Sequence, residues 1–397
     1  MHEDHLPVAS KSWKRLDGVD LLRGLAILLV LMNHVNMQLL FARVPYTRGL
    51  PRQLVSSLVW NGQFGVQIFF AVSGFLIAST SIRRWGSLAK VEPARFYLIR
   101  FARIAPLFLL LLAVLSALHV AGLKNFVVSP KVGGLKSALT AALTFRVNVL
   151  EATRGYLPGP WDILWSLSVE EMFYLFFPLV CRVLGRGKLL VAFLLLFVVA
   201  GPFGRTILTH GNEVWYEYSY LGAMDAIALG CLTAMIVAKV RCSRRQLWVL
   251  GVTGMALVGF ILGCSNFVYS SGITHSGLDM TILAAGTCML IVVAAETQWR
   301  RPGVLAPLAW MGERSYEVYL THMFVVLAVF GLFLRMGKSV RLVPVLFGTV
   351  IVVAGVFGGG IGRFYSEPMN RWLRRRFGDG ADRMGSVVES SPGVQSL

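Results

Sequence analysis

The sequence predicts an all-α, polytopic membrane protein with about ten transmembrane helices and both termini in the cytoplasm. Three observations carry that reading. Hydrophobic residues fill 56% of the 397 positions and charged residues only 15%, and the mean hydropathy is +0.66, too apolar for a soluble fold. The apolar residues gather into ten runs long enough to span a bilayer, near 19–41, 61–80, 104–122, 162–184, 188–208, 218–238, 246–263, 277–295, 308–334 and 342–361. Finally, the segments on the N-terminal side of these runs hold more than twice as many Lys and Arg as those on the other side, which puts the N-terminus inside.

The net charge of +18 does not point to nucleic acid. Its basic residues sit in short clusters between apolar runs, where topology requires them, so the lipid bilayer is the expected partner. Five cysteines, Cys181, Cys231, Cys242, Cys264 and Cys288, are scattered singly with no spacing of a zinc site or a disulfide framework. The first run follows Lys11, Lys14 and Arg15 but is of spanning length and lacks a clear small-residue cleavage site, so it reads as a retained helix rather than a signal peptide.

That first run, LDGVDLLRGLAILLVLMNHVNMQLLF over 16–41, carries Asp20, Arg23 and His34. An offset of eleven residues returns Arg23 and His34 to nearly one helix face, about 16 Å apart along the axis. Placing an ionisable group in hydrocarbon costs roughly 2.5–3.5 kcal/mol, so such groups face a bundle interior or a watery cavity. Arg23 reads either as part of that interior or as a snorkelling topology anchor. His34, between Asn33 and Asn36, reads as a functional imidazole or as a satisfied structural one.

In the second run, GVQIFFAVSGFLI from Gly65 sets Gln67 and Ser73 among aromatics, with Gly74 for close backbone approach. RFYLIRFARIAP opens the third, with Arg100 and Arg103 adjacent at i, i+3. Paired guanidinium forks suit phosphate oxygens; a topogenic or lipid-headgroup role is the alternative. The connection 123–161, rich in Pro and Gly, is long enough to hold an amphipathic or re-entrant piece. The fourth run, WDILWSLSVEEMFYLFFPL, places Glu170 and Glu171 about two turns inside on adjoining faces, so at least one points into the bundle, and Trp161 and Trp165 read as interface anchors. Asp225 in YLGAMDAIALG and His322 in ERSYEVYLTHMF are further ionisable groups inside apolar runs. After Phe377 the tail GDGADRMGSVVESSPGVQSL is polar and reads as disordered and cytoplasmic. No Walker loop, G-x-S-x-G elbow, H-E-x-x-H or metal-spaced carboxylate cluster occurs, so no metal site is expected.

Taken in order, DLLRG with Arg23 and then ten residues to His34, GVQIFFAVSGFLI, RFARIAP, WSLSVEEMFYLFFP, MDAIALG, SYEVYLTH and YSEPMNRW resemble the acyltransferase family 3 of integral membrane proteins, from Asp20 to about Trp372. The chain departs from the family pattern at Met172, at Asn33 and at Glu367-Pro368. The resemblance implies a transmembrane acyltransferase domain over 19–376, between a cytoplasmic segment 1–18 and a tail 377–397, in a bacterial inner membrane. It implies transfer of an acyl group, usually acetyl from acetyl-CoA, to a carbohydrate hydroxyl, possibly lipid-linked, with Arg23 and His34 the residues most tied to activity. On that reading Arg100 and Arg103, with Arg23 nearby, hold the donor's phosphates. His34 acts as general base or accepts the acyl group itself, Glu170 or Asp225 orients the imidazole, and Arg23 stabilises the developing oxyanion. With no hydrolase-like domain after the spans, the chain is expected to complete the transfer alone or hand it to a partner. Acylation of a small glycosylated natural product is a variant of this reading; a proton-coupled secondary transporter, also built from helices with buried Asp, Glu and His, is the competing class.

Overall fold

Every predicted run becomes a helix in the computed structural model, which describes residues 16–185, 188–209 and 211–377. The N-terminal cluster Lys11, Lys14 and Arg15 and the polar tail 378–397 lie outside these residues. Among the described residues, ten helices are long and apolar enough to cross a membrane: α1 Asp17–Phe41, α2 Gly62–Trp85, α3 Pro93–Val120, α4 Gly159–Leu184, α5 Leu189–Thr209, α6 Glu213–Lys239, α7 Arg244–Gly263, α8 Leu278–Thr297, α9 Ser315–Arg335 and α10 Val340–Phe377. Among the described residues there is no β-strand.

Where boundaries move, local chemistry explains it. Predicted to start near 104, α3 starts at Pro93, a residue whose fixed φ suits the first helical position after the extended Glu92. The extra turns carry the helix back through the basic stretch, so Arg100 and Arg103 share one helical face as their i, i+3 spacing predicted. The predicted run 308–334 divides into Ala306–Glu313 and α9, with Arg314 between them outside helical geometry. At that break Gly312 packs directly on the Asp20 backbone, where a side chain would collide. The last span continues past 361 through a π-helical turn, Gly362–Ser366.

Apolar packing places α1 between two cores. Val19, Leu22, Ala26, Leu29 and Val30 join the larger core built with α2, α3, α4, α6 and α8. Ile27, Leu31, Val35 and Leu39 join a second one with α9 and α10. The polar residues of α1 thus emerge in the seam between cores. Against α6, α2 approaches backbone to backbone. A Cβ on Gly74 would meet the Ile227 carbonyl and one on Gly230 the Ala71 carbonyl, the small-residue packing that drives helix association in lipid.

The 123–161 connection folds as Gly134–Leu143 and Val147–Arg154. Its end tucks inward: Trp161 is 0% exposed and donates from Nε1 to the Phe126 carbonyl at 3.2 Å. Trp165, also buried, stacks on Tyr218 at 4.1 Å. Neither tryptophan is the interface anchor expected of it, because the folded connection covers this end of α4.

Candidate active site

A cavity of about 290 Å³ opens in the middle of the bundle, between α1, α2, α3, α4 and α9. Helical spacing builds its walls. Ser166, Glu170 and Tyr174 follow one another at intervals of four on α4, and Tyr316 and Tyr319 are separated by three on α9, so each set lies on one helix face.

Ser73 of α2 donates to Glu170, Tyr174 donates to the same carboxylate, and the two hydroxyls touch. Arg100 lies over the Tyr174 ring, 3.6 Å from its centroid, with Nη2 3.9 Å from Glu171 Oε1. Arg103 grips Glu317 with both Nη atoms, at 2.8 and 3.3 Å. Arg23 donates from Nε to Ser315 Oγ at 3.0 Å, and its Nη1 is 3.5 Å from Asp20 Oδ1. Each cation facing the cavity is therefore held by a polar or acidic neighbour, which makes a buried charge tolerable and fixes where its remaining donors point.

His34 stands beyond the far wall. Tyr319 shares a hydrogen bond of 2.6 Å with Ser166, its ring lies 5.6 Å from His322, and His322 meets His34 edge to face with centroids 4.9 Å apart. His34 Nδ1 is 2.9 Å from the Val30 carbonyl and His322 Nδ1 2.5 Å from the Tyr319 carbonyl. Only a protonated nitrogen can bond a carbonyl, so in each neutral ring Nε2 carries the lone pair. His322 is 0% exposed and its Nε2 has no hydrogen-bond partner among the described residues.

Of the residues singled out in the sequence, Arg23, Arg100, Arg103 and Glu170 share one cavity. His34 connects to it through His322 and Tyr319, and its imidazole is oriented by a backbone carbonyl rather than by Glu170. Asp225 lies elsewhere: it is 0% exposed, paired with Arg205 at 2.8 Å, and accepts from Gln67 at 3.1 Å and from Thr281. That network ties α2, α5, α6 and α8 together away from the cavity lining. Sequence reading missed Tyr174, Glu317 and Tyr319; the intervals Ser166–Glu170–Tyr174 and Tyr316–Tyr319–His322 are the signal that could have found the aromatic ones. Glu317 carries no such signal, since its partner lies 214 positions away.

Comparison with known proteins is consistent across the chain. The acyltransferase-3 family, described as an acyltransferase domain, matches residues 16–361. O-acetyltransferase OatA of Staphylococcus aureus is 26% identical over 341 residues, covering 79% of this chain and 52% of that protein. Peptidoglycan O-acetyltransferase OatA of Listeria monocytogenes is 25% identical over 327 residues, covering 78% and 49%. The chain thus spans about half the length of the curated relatives it matches. No solved structure matches it. Because the family match runs from residue 16 to 361, over nearly all of the ten spanning helices, this chain belongs to the acyltransferase-3 family of membrane proteins.

Proposed function

We propose that the protein moves an acyl group, acetyl first, from a cytoplasmic acyl-CoA to a hydroxyl of a cell-envelope carbohydrate, from within a bacterial inner membrane. The N-terminal ends of α1, α3 and α9, where Arg23, Arg100, Arg103 and Arg314 lie, face the cytoplasm in this reading. The observation that supports it best is the cavity whose cytoplasmic-side wall carries Arg23, Arg100 and Arg103 and whose far wall, Tyr319, is backed by the His322 and His34 rings. A phosphorylated donor with a long thioester arm fits such an arrangement, since its charged and reactive ends must be held far apart.

In this scheme Arg100 and Arg103 meet the donor where it enters and Arg23 lines the passage above them. The arm runs along Glu170, Ser73 and Tyr174, which offer hydrogen bonds to its amides. At the far end the His34 Nε2 lone pair takes the proton of the acceptor hydroxyl as its oxygen attacks the thioester carbonyl; the carbon–sulfur bond breaks and the thiolate leaves. In this scheme Arg23 serves the donor passage rather than the oxyanion, since eleven residues of helix separate it from His34 by about 16 Å. The names of the curated relatives favour an envelope sugar, peptidoglycan among them, as acceptor, over a small glycosylated natural product.

The test is release of free CoA thiol from acetyl-CoA by the protein in lipid nanodiscs with crude envelope glycans as acceptor. Wild type should release thiol, and His34→Ala should lose roughly 10²–10⁴-fold in rate, the share of a general base, while remaining folded. Proton-coupled solute uptake by a protein that consumes no acyl donor would replace this reading with the transporter.

A further inference from the structure

Below the cavity lies a second chamber of about 470 Å³, opening at the basic face of the bundle. It shares Ile77, Thr80, Arg100 and Arg103 with the cavity above, so the two form one passage with a two-arginine neck. Its floor adds three arginines that the sequence explains by topology alone: Arg83 and Arg84 from the end of α2, and Arg374 from the end of α10. Among its lining residues there is no Asp or Glu. The neck arginines already answer Glu171 and Glu317, so the floor arginines are what give the chamber its charge. Arg374 is near enough to Arg84 and Arg103 to be repelled by both, and Arg84 to Arg83 and Arg95.

Topology alone asks for basic residues anywhere along this face. Here two distant stretches of chain, 290 residues apart in sequence from Arg84 to Arg374, converge on one space and repel each other there. A multiply charged anion relieves that repulsion. The Trp85 ring lies beside Arg84, whose guanidinium carbon is 5.8 Å from its centroid, and the indole Nε1 is buried without a partner among the described residues. The chamber therefore combines phosphate-binding forks with an aromatic surface and an unused donor, in a volume within the roughly 300–1,000 Å³ of small-molecule sites.

We infer that Arg84 and Arg374, with Arg83 and Trp85, form a nucleotide subsite that receives the phosphorylated adenosine end of the acyl donor, while the thioester arm passes the neck. This rests on the acyl-CoA reading above and shifts the phosphates from Arg100 and Arg103 to the floor of the chamber. A purine nucleotide bearing a diphosphate and a sugar phosphate supplies roughly four negative charges, about two from its terminal phosphate, against the three floor arginines.

Two measurements on the full chain in zwitterionic nanodiscs test it. The first compares kcat/KM for acetyl-CoA with that for S-acetylpantetheine, which lacks the nucleotide. Arg84→Ala and Arg374→Ala should each cut the preference for acetyl-CoA at least tenfold, whereas Arg371→Ala, exposed on the same helix and outside the lining, should leave it unchanged. An unchanged preference in both floor variants overturns the subsite. The second is direct binding of adenosine 3′,5′-bisphosphate, which should be present in wild type and weakened at least tenfold in both variants. If wild type binds the nucleotide but transfers no acetyl group, the subsite stands and the acyl-transfer reading falls. If the variants keep nucleotide binding yet lose co-purifying anionic lipid, the chamber holds lipid phosphate and the inference fails.

Discussion

Replacing Asp225 by alanine should unfold the bundle rather than disable its chemistry. Arg205, 2% exposed, gives Nη2 to Asp225 at 2.8 Å and to the Gly277 carbonyl at 2.7 Å, and its Nε donates to the same carbonyl at 2.9 Å. The carbonyls stay in the Asp225→Ala protein, so the guanidinium keeps hydrogen bonds but loses the carboxylate it is paired with at 2.8 Å in an enclosed site. Stranding one member of a buried pair costs about 3–5 kcal/mol, or roughly two to three and a half orders of magnitude in the folding equilibrium at 1.4 kcal/mol per tenfold. Gln67, which donates to the other carboxylate oxygen at 3.1 Å, loses an acceptor as well. The assay is thermal unfolding in detergent, followed by the monodisperse fraction on gel filtration, for Asp225→Ala, Arg205→Met and the double variant Asp225→Leu/Arg205→Met. Both single variants should be strongly destabilised and the double one should recover most of the loss, since removing both charges removes the stranded ion. Thiol release per folded molecule should stay within a few-fold of wild type. A single variant that keeps its full melting temperature but loses transfer would refute this, and would return Asp225 to the catalytic role its sequence context suggested.

His322→Phe keeps a ring against His34 but removes the open Nε2; if that nitrogen serves the reaction, kcat falls at least about tenfold at unchanged melting temperature, and an unchanged kcat shows the ring is packing alone. Arg103→Lys replaces a two-pronged grip on Glu317 with a point charge, so kcat/KM for the donor should fall on the order of tenfold, read from the same thiol assay. Gly74→Leu drives a side chain into the Ile227 carbonyl and should cost at least about 1–3 kcal/mol, visible as lost folded yield after membrane extraction. Glu151, in the connection between α3 and α4, has its pKa raised well above 4.5, by burial first and then by the nearby Asp162 carboxylate, so the fold favours its protonated form. The stabilisation from that proton is complete below the unfolded value and is lost as pH rises through the raised folded value, at up to about 1.4 kcal/mol per pH unit. Glu151→Gln, which can still accept from Leu157 N–H at 3.0 Å, should flatten the alkaline side of the stability–pH curve; a curve identical to wild type would mean Glu151 is ionised in the fold.

Much of this was legible in the sequence because it is governed by short-range rules. Hydrocarbon thickness dictates run length, so ten spans could be counted; helical periodicity put Arg23 with His34 and Arg100 with Arg103 on shared faces before any packing was known. Ordered motifs carried the family. Partnership between helices was another matter, since it depends on which faces meet. Sequence marks Asp225 and Glu170 alike as carboxylates in apolar helices, yet one neutralises Arg205 in a tie between four helices while the other lines the cavity with Ser73 and Tyr174. The same holds for Glu317, which finds Arg103 across the bundle, and for His322, brought against His34 because α9 packs in the seam between two cores. Arg84 and Arg374 read as ordinary topogenic charge until the ends of α2 and α10 converge. Element identity follows from local propensity and burial, which composition and period encode; the site follows from the relative placement of helices, decided by side-chain packing, such as Gly74 on Ile227 and Gly312 on Asp20, summed over residues far apart in the chain.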